Sequence, residues 1–400
     1  MRKKTIQDIS LEEKRVIVRV DFNVPLNEQL EITDDSRIAK TLPTIRYLIE
    51  HQARVILMSH LGRPKGKRVD KYSLLPAAKH LSKLLGLTVA LLPDCVGSEV
   101  ESSVKKLAPG QVVLLENLRF HPEEEKNDAA FAKQLASLAE IYVNDAFGAA
   151  HRAHASTEGI AHFLPAVSGF LMAKEITYFD AALENPKKPF VTILGGSKVS
   201  DKIKVIENLL KKVDSLLIGG AMSYTFLKAM GREVGNSKVE DENGIAIANS
   251  VIQAAKEKKV ELLLPTDHVI VQKVDAAAET KIAADDIPNG WLGVDIGPKT
   301  TAAFQNVLKK AKTIIWNGPV GIFELKPFAA GTLALAKTLS ESQATTIIGG
   351  GDTAAAITQF GFEGKVSHIS TGGGASLEYL EGIELPGIKV LNDKEKSGVA

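Results

Sequence analysis

The chain has 400 residues, with 49 Lys and Arg against 48 Asp and Glu for a formal charge of +1. That balance leaves no net field for nucleic acid or an anionic membrane, so any anion must be held by a local cluster. The length points to two domains at roughly 100–200 residues each. The only cysteine, Cys95, excludes an intrachain disulfide and reads as a small packed side chain in a reducing compartment.

In chain order, residues 1–10 are charged and polar and lack the apolar core of a signal peptide. No apolar run approaches the ~20 residues of a membrane helix, so a cytoplasmic location is expected. Short apolar runs then recur at 16–20, 55–58, 112–115 and 141–143. They continue at 190–194, 215–218, 261–264, 313–316 and 345–348. They are continuous rather than alternating, as in strands buried on both faces. Helical stretches lie between them, such as 73–85 with Leu74, Leu75, Ala78, Leu81 and Leu85 on one face. Strands alternating with helices predict an α/β fold with parallel sheets.

Met172, Ile176, Phe179 and Leu183 mark one face of a further helix, which Asn185-Pro186-Lys187-Lys188-Pro189 brings to a stop. The predicted domains are therefore 1–170 and 189–379, joined by a connecting helix over 171–188. Residues 380–400 are expected to pack back on the first domain.

Ligands of open parallel sheets bind beyond the carboxyl ends of the strands. In the first half those ends carry Asp21-Phe22-Asn23, then Ser59-His60-Leu61-Gly62-Arg63-Pro64, then Glu116-Asn117-Leu118-Arg119. The fourth leads through Asn144 and Asp145 to His151-Arg152-Ala153-His154. Guanidinium forks match carboxylate and phosphate, and so many cationic groups at one edge repel unless an anion lies between them. Taken singly, each Arg or His also reads as a solvated loop residue or a cap. Metal binding by His60, His151 and His154 is another reading, but no acidic or Cys ligand accompanies them at a familiar spacing.

In the second half the strand ends are rich in glycine. They read Gly195-Gly196-Ser197-Lys198, Gly219-Gly220, Asn317-Gly318-Pro319, Gly349-Gly350-Gly351-Asp352-Thr353 and Gly372-Gly373-Gly374. Such turns let backbone N–H groups approach a phosphate, and a following helix adds its positive end. Any single Gly-Gly pair is also an ordinary tight turn. Lys198 and Lys202, four apart, are expected on one helical face aimed at one anion. Asp352 reads either as a helix N-cap or as a ligand of a phosphate-bridging Mg2+. There is no Gly-x-x-x-x-Gly-Lys-Ser/Thr run, and no Gly-x-Gly-x-x-Gly follows the first strand. A nucleotide site here must therefore be assembled from separate turns.

The runs Arg19 to Pro25, Ser59 to Pro64 and Glu116 to Phe120 resemble those of phosphoglycerate kinases. So do Asn144 to Thr157, Gly195 to Ile203, Trp316 to Glu324, Gly349 to Ala355 and Thr371 to Ser376. The resemblance extends from about Ile17 to Glu378. It implies two doubly wound, Rossmann-like parallel-sheet domains on a helix hinge. It also implies reversible, Mg2+-dependent phosphoryl transfer from 1,3-bisphosphoglycerate to ADP, giving 3-phosphoglycerate and ATP in glycolysis, by a monomer without nucleic-acid or membrane partners.

By the same resemblance, Asp21, Phe22, Asn23, Arg37, His60, Leu61, Gly62, Arg63, Arg119 and Arg152 hold the glycerate. Lys202, Gly293, Asn317, Glu324, Gly350, Gly351, Asp352 and Thr353 hold the nucleotide. Glu324 is expected at the ribose, Gly293 at the adenine and Asp352 at the metal. Arg37, Lys198, Lys202 and the N–H groups of Gly372, Gly373 and Gly374 are the expected neutralisers of the transferring group. The acceptor is a carboxylate, ionised near neutral pH, so no general base is expected. Domain closure is expected to bring the substrates together and exclude water. A non-catalytic nucleotide-binding protein would lack Arg37, Lys202 or Asp352, and a dehydrogenase would carry the missing glycine fingerprint.

Overall fold

The structure, a computed structural model, describes residues 3–394. The chain divides into two compact units, 1–177 with 384–400, and 178–383. The division falls inside the helix Phe170–Leu183. This helix starts and stops within a few residues of the expected connecting helix, and Asn185 and Pro186 lie just beyond its end.

The first unit is built on six strands: β1 (Arg15–Arg19), β2 (Arg54–Met58), β3 (Ala90–Leu91), β4 (Val112–Leu114), β5 (Ile141–Asn144) and β6 (Ala166–Ser168). They form one sheet in the order β3-β4-β2-β1-β5-β6, and every pairing is parallel. The chain moves outward from β1 to one side and then returns to the other. The order therefore reverses at β1 and β5, the place at which open parallel sheets generally bind their ligands.

Val16, Val18, Val55, Leu57 and Val143 point into a core shared with Ile38, Ile45 and Leu48 of the helix Ser36–Glu50. Burying each such side chain is worth about 1.5–3 kcal/mol. The described part of the C-terminal segment packs on this unit. The Lys4 N–H donates to the Asn392 carbonyl at 2.8 Å, and Asn144 Nδ2 donates to the Gly387 carbonyl at 3.0 Å. The rest of the expected packing segment, 395–400, lies outside the described residues.

The second unit repeats the plan with β7 (Phe190–Leu194), β8 (Ser215–Ile218), β9 (Glu261–Leu263), and the later strands β13 (Thr313–Asn317), β14 (Thr345–Gly349) and β15 (His368–Ile369). These are parallel in the order β15-β14-β13-β7-β8-β9, with the reversal at β7 and β13. Between β9 and β13 the chain inserts an antiparallel sheet, β11-β10-β12, from β10 (Asp267–Val271), β11 (Lys281–Ala284) and β12 (Leu292–Ile296). This sheet was not expected. Lys281–Ala284 is only four residues long and mostly exposed, and no helix separates the strands of this sheet. Among the described residues, no helix is long and apolar enough to cross a membrane.

The helix Pro298–Leu308 shows how the insert is tied in. Its N-cap residue, Gly297, offers no side chain, and the buried Asp267 of β10 supplies the acceptor. The Asp267 carboxylate takes the N–H groups of Lys299 at 2.9 Å and Thr300 at 2.8 Å, and the Thr300 hydroxyl at 2.7 Å. Burial pushes this carboxyl up, but these hydrogen bonds outweigh it and hold it below its usual range. Asp267→Ala is expected to cost roughly 1–3 kcal/mol of stability at neutral pH. The cost is full above the unfolded carboxyl value of ~3.9 and shrinks as pH falls through the lower folded value. Urea unfolding followed by the fluorescence of Trp291 and Trp316, both in this unit, measures it at neutral and acid pH.

Candidate active site

At the switch point of the first sheet, β1 ends in Arg19, which is buried although charged. Its Nε donates to Ser156 Oγ at 2.9 Å, its Nη1 to the Val20 carbonyl, and its Nη2 reaches His60 Nδ1 at 3.0 Å. His60 follows β2. Arg119 sits on a short turn after β4, where its Nη1 donates to the Gly62 carbonyl at 2.9 Å and its Nε lies 3.3 Å from Glu125. Asn117 fastens this turn, because its Nδ2 donates to the carbonyls of Leu61 at 2.7 Å and Tyr72 at 2.8 Å.

The cationic groups at this edge act on one another. Burial first, then the charges of Arg19, Arg119, Arg37 and His154, hold His60 well below its usual value. Burial, Arg119, Arg19, Arg152 and His151 bring His154 down to about 4. Arg119 is lowered too, by burial above all. A buried carboxylate lies against the cluster: Glu124, pushed up by burial, accepts from Ser156 N at 3.0 Å and Ser156 Oγ at 2.6 Å. Asp21 pairs with Arg37 and accepts the Asn23 N–H at 3.3 Å, while Asn23 Oδ1 takes the Gly62 N–H at 2.9 Å.

Asp21, Asn23, Arg37, His60, Gly62 and Arg119 are thus joined by direct contacts or close charge, and Arg152 borders them. Arg63 is exposed and makes no hydrogen bond or ion pair among the described residues. The side chains of Phe22 and Leu61 belong to the hydrophobic core. Metal binding by His60, His151 and His154 finds no support. Among the described residues the one group with metal-ligand spacing is Asp94, Cys95 and His121, where Asp94 and His121 are hydrogen-bonded at 2.6 Å. Cys95 is buried and its thiol is pushed up by burial, so it packs as expected.

Local pattern gives Arg19 no site role of its own, offers His154 only within the cationic edge or the histidine metal set, and does not single out Glu124. Arg19 stands inside a strand and Glu124 inside a run of glutamates, which reads as a solvated helix face. Only contact with Ser156, far along the chain, distinguishes them.

In the second unit, β7 and β13 end side by side and their loops touch. A Cβ on Gly195 would collide with the carbonyls of Gly318 and Pro319, so only glycine allows this approach. Lys202 reaches back into the gap. Its ammonium donates to the Gly195 carbonyl at 2.7 Å, the Asn317 carbonyl at 2.8 Å and Asn317 Oδ1 at 2.7 Å. Burial lowers its pKa to about 8, against the opposing pull of Asp352 and Asp201.

Lys198 does not share a helical face with Lys202. It lies in an exposed loop, a 3-10 turn occupies Ser200–Lys202, and the α-helix begins only at Ile203. The three-residue period of that turn breaks the four-residue spacing.

Asn317 is buried, and its Nδ2 has no hydrogen-bond partner. That atom faces the main chain of Gly349 and Gly350, where added Cβ atoms would lie 3.0 and 3.3 Å away. Gly350, with φ of 84°, caps the helix Gly351–Gln359 without a side chain. Asp352 is therefore not the N-cap. It sits one residue inside the first turn, exposed, with no protein hydrogen bond among the described residues. Thr353 is committed to the fold, because its hydroxyl accepts the Gly318 N–H at 2.6 Å. Glu324 is exposed on the loop after β13. Gly293 lies on β12, its N–H donating to Ser237 Oγ at 2.9 Å and its Cα close against Tyr224. Gly373 caps the short helix Gly374–Leu380, and the Gly372 N–H donates to Ser370 Oγ at 3.2 Å. Gly373 and Gly374 are exposed.

A family model for phosphoglycerate kinase matches residues 6–383. The phosphoglycerate kinase of Chlorobium chlorochromatii is 58% identical over 98% of this chain and 100% of its own. That of Pseudothermotoga lettingae is 56% identical over 99% of this chain and 100% of its own. The solved phosphoglycerate kinase of Coxiella burnetii superposes with a TM-score of 0.90 at 43% identity, over 97% of this chain and 98% of that one. On sequence and fold alike, the chain belongs to the phosphoglycerate kinase family.

Proposed function

We propose that this kinase transfers a phosphoryl group reversibly from 1,3-bisphosphoglycerate to ADP, with Mg2+, giving 3-phosphoglycerate and ATP. The observation that carries the reading is the crowding of Arg19, Arg119, Arg152, His60 and His154 at one sheet edge, where burial and the neighbouring positive charges hold His60, His154 and Arg119 below their usual values. Such a cluster is relieved by an anion. A phosphorylated carboxylic acid supplies two anionic ends, and guanidinium forks bind both kinds. Arg37, His60, Arg63, Arg119 and Arg152 would hold it, with Asp21 and Asn23 ordering Arg37 and the Gly62 turn.

The nucleotide reading rests on the second unit. The unpaired Asn317 Nδ2 and the adjacent Gly350 turn at a helix start suit phosphate oxygens. Lys202 has its three hydrogens engaged, so it would exchange one protein carbonyl for phosphate as the nucleotide enters. Lys198, Gly373 and Gly374 are the exposed donors left for the transferring group. Glu324 and Gly293 would take the ribose and the base. The exposed, unpaired carboxylate of Asp352 is a hard oxygen donor of the kind that holds Mg2+ through one protein ligand and the phosphates. When bound, that ion offsets phosphate charge.

The acceptor carboxylate is already ionised, so no residue removes a proton. The protein's task is alignment and neutralisation. In-line transfer requires donor and acceptor to meet, so the proposal includes closure of the two units, as a monomer in the cytoplasm. Scattering that showed no compaction with both substrates present would count against closure.

A coupled assay of ATP-dependent phosphorylation of 3-phosphoglycerate tests the reading. Turnover is expected only with Mg2+, and Arg37→Ala is expected to lower it about 10²–10³-fold with little change in unfolding midpoint. Turnover equal to that of the unaltered chain would remove Arg37 from the mechanism.

A second prediction follows from Lys202. Its ammonium is charged below about 8 and neutral above. The value of kcat/KM for the nucleotide is expected to fall as pH rises through that value, since this parameter reports the free enzyme. Lys202→Arg, which does not titrate there, should lose rate yet show no such limb. A pH profile of both proteins decides the matter.

A further inference from the structure

The contact between Arg19 and His60 has only one chemical sense. A guanidinium carries N–H donors and no acceptor. At 3.0 Å from Arg19 Nη2, His60 Nδ1 must therefore present its lone pair. A proton on Nδ1 would set two N–H groups head to head. With Nδ1 accepting, the ring is neutral and its one proton sits on Nε2, which has no hydrogen-bond partner among the described residues.

We propose that Arg19 is a positioning residue, holding His60 as the neutral Nε2–H tautomer so that it offers the glycerate a single uncharged donor. This rests on the glycerate reading above.

Arg19 is itself kept in place from behind. Its Nε donates to Ser156 Oγ at 2.9 Å, and Ser156 Oγ donates to Glu124 Oε1 at 2.6 Å. Glu124, Ser156, Arg19 and His60 thus form one buried chain of hydrogen bonds, in which each donor has an acceptor. The charged groups around His60 come from every neighbouring element. Arg37 lies on the helix after β1, Arg119 on the turn after β4, and Arg152 and His154 on the loop after β5. The nearby carboxylates, Asp21 and Glu124, are engaged with Arg37 and Ser156. The largest influences on His60, burial and then the charges of Arg19, Arg119, Arg37 and His154, all disfavour an imidazolium. An arriving anion would ordinarily raise a histidine's proton affinity, and Arg19 opposes this at the nitrogen that would take the proton. His60 then contributes a hydrogen bond whose strength does not vary with pH.

The test is the ring spectrum of the full chain, labelled with 15N at histidine and read without substrate. The expected result is an unprotonated Nδ1 and a protonated Nε2 across roughly pH 5 to 8, the window in which an ordinary histidine titrates. A protonated Nδ1, or a doubly protonated ring at neutral pH, overturns the proposal whatever happens to any variant.

The double substitution Arg19→Met with Glu124→Gln removes the donor without stranding a buried carboxylate. In it His60 is expected to titrate nearer its ordinary ~6.5. The KM for 3-phosphoglycerate should then become pH-dependent in that range, falling as the ring gains charge. A double variant with an unchanged ring spectrum and a flat KM profile would show a purely structural role for Arg19 and overturn the proposal. Absence of turnover with the Nε2–H ring intact would support the tautomer and count against the kinase reading alone.

Discussion

Parallel strand pairing is the constraint from which both candidate sites follow. When every strand of a sheet runs the same way, all carboxyl ends meet at one edge, and the residues just beyond them become neighbours however far apart they stand in the chain. Arg19, His60, Arg119 and His154 come together in this way at the first sheet. Gly195, Asn317 and Gly350 do so at the second. The reversal of strand order at β1 and β5, and again at β7 and β13, decides where along each edge a ligand is expected.

The two edges meet opposite electrostatic problems. In the first unit the fold concentrates cationic groups at one edge, and burial together with their mutual charge holds His60, His154 and Arg119 below their usual values. Glu124 lies buried behind Ser156, whose hydroxyl donates to it and accepts from Arg19, so this carboxylate steadies Arg19 from within the fold. In the second unit the fold removes side chains. Gly195 and Gly318 let two loops approach until carbonyl oxygens line the gap, and Lys202 enters to satisfy them. Burial lowers the proton affinity of this lysine although three acceptors hold its ammonium, which ties its packing to its titration.

Much of this was legible from local pattern. Buried parallel strands are continuous apolar runs, so β7 and β8 were expected at their observed bounds and the other long strands within a residue or so. The helix Phe170–Leu183 announced itself by its spacing and its proline stop. Polar and glycine-rich strand ends marked the sites. The antiparallel insert was not legible, because Lys281–Ala284 is short and mostly exposed and is held by its pairing with β10. The shared face of Lys198 and Lys202 failed for a related reason. Spacing of four implies neighbours only on an α-helix, and glycine turns leading into a 3-10 turn do not keep that period.

Sequence alone was enough for the fold class, the alternation of strand and helix, the chemistry at each strand end and the family resemblance. Periodicity and residue type are local properties, and each is written in consecutive residues. Tertiary structure was needed for the partner of each group. That Asp352 stands free while Gly350 caps its helix, that Thr353 serves Gly318, and that Asn317 keeps an unpaired nitrogen all depend on which strand lies next to which. The same holds for His60. Its residue type allows two tautomers and a charged form, and only the guanidinium brought against Nδ1 by the pairing of β1 with β2 selects one.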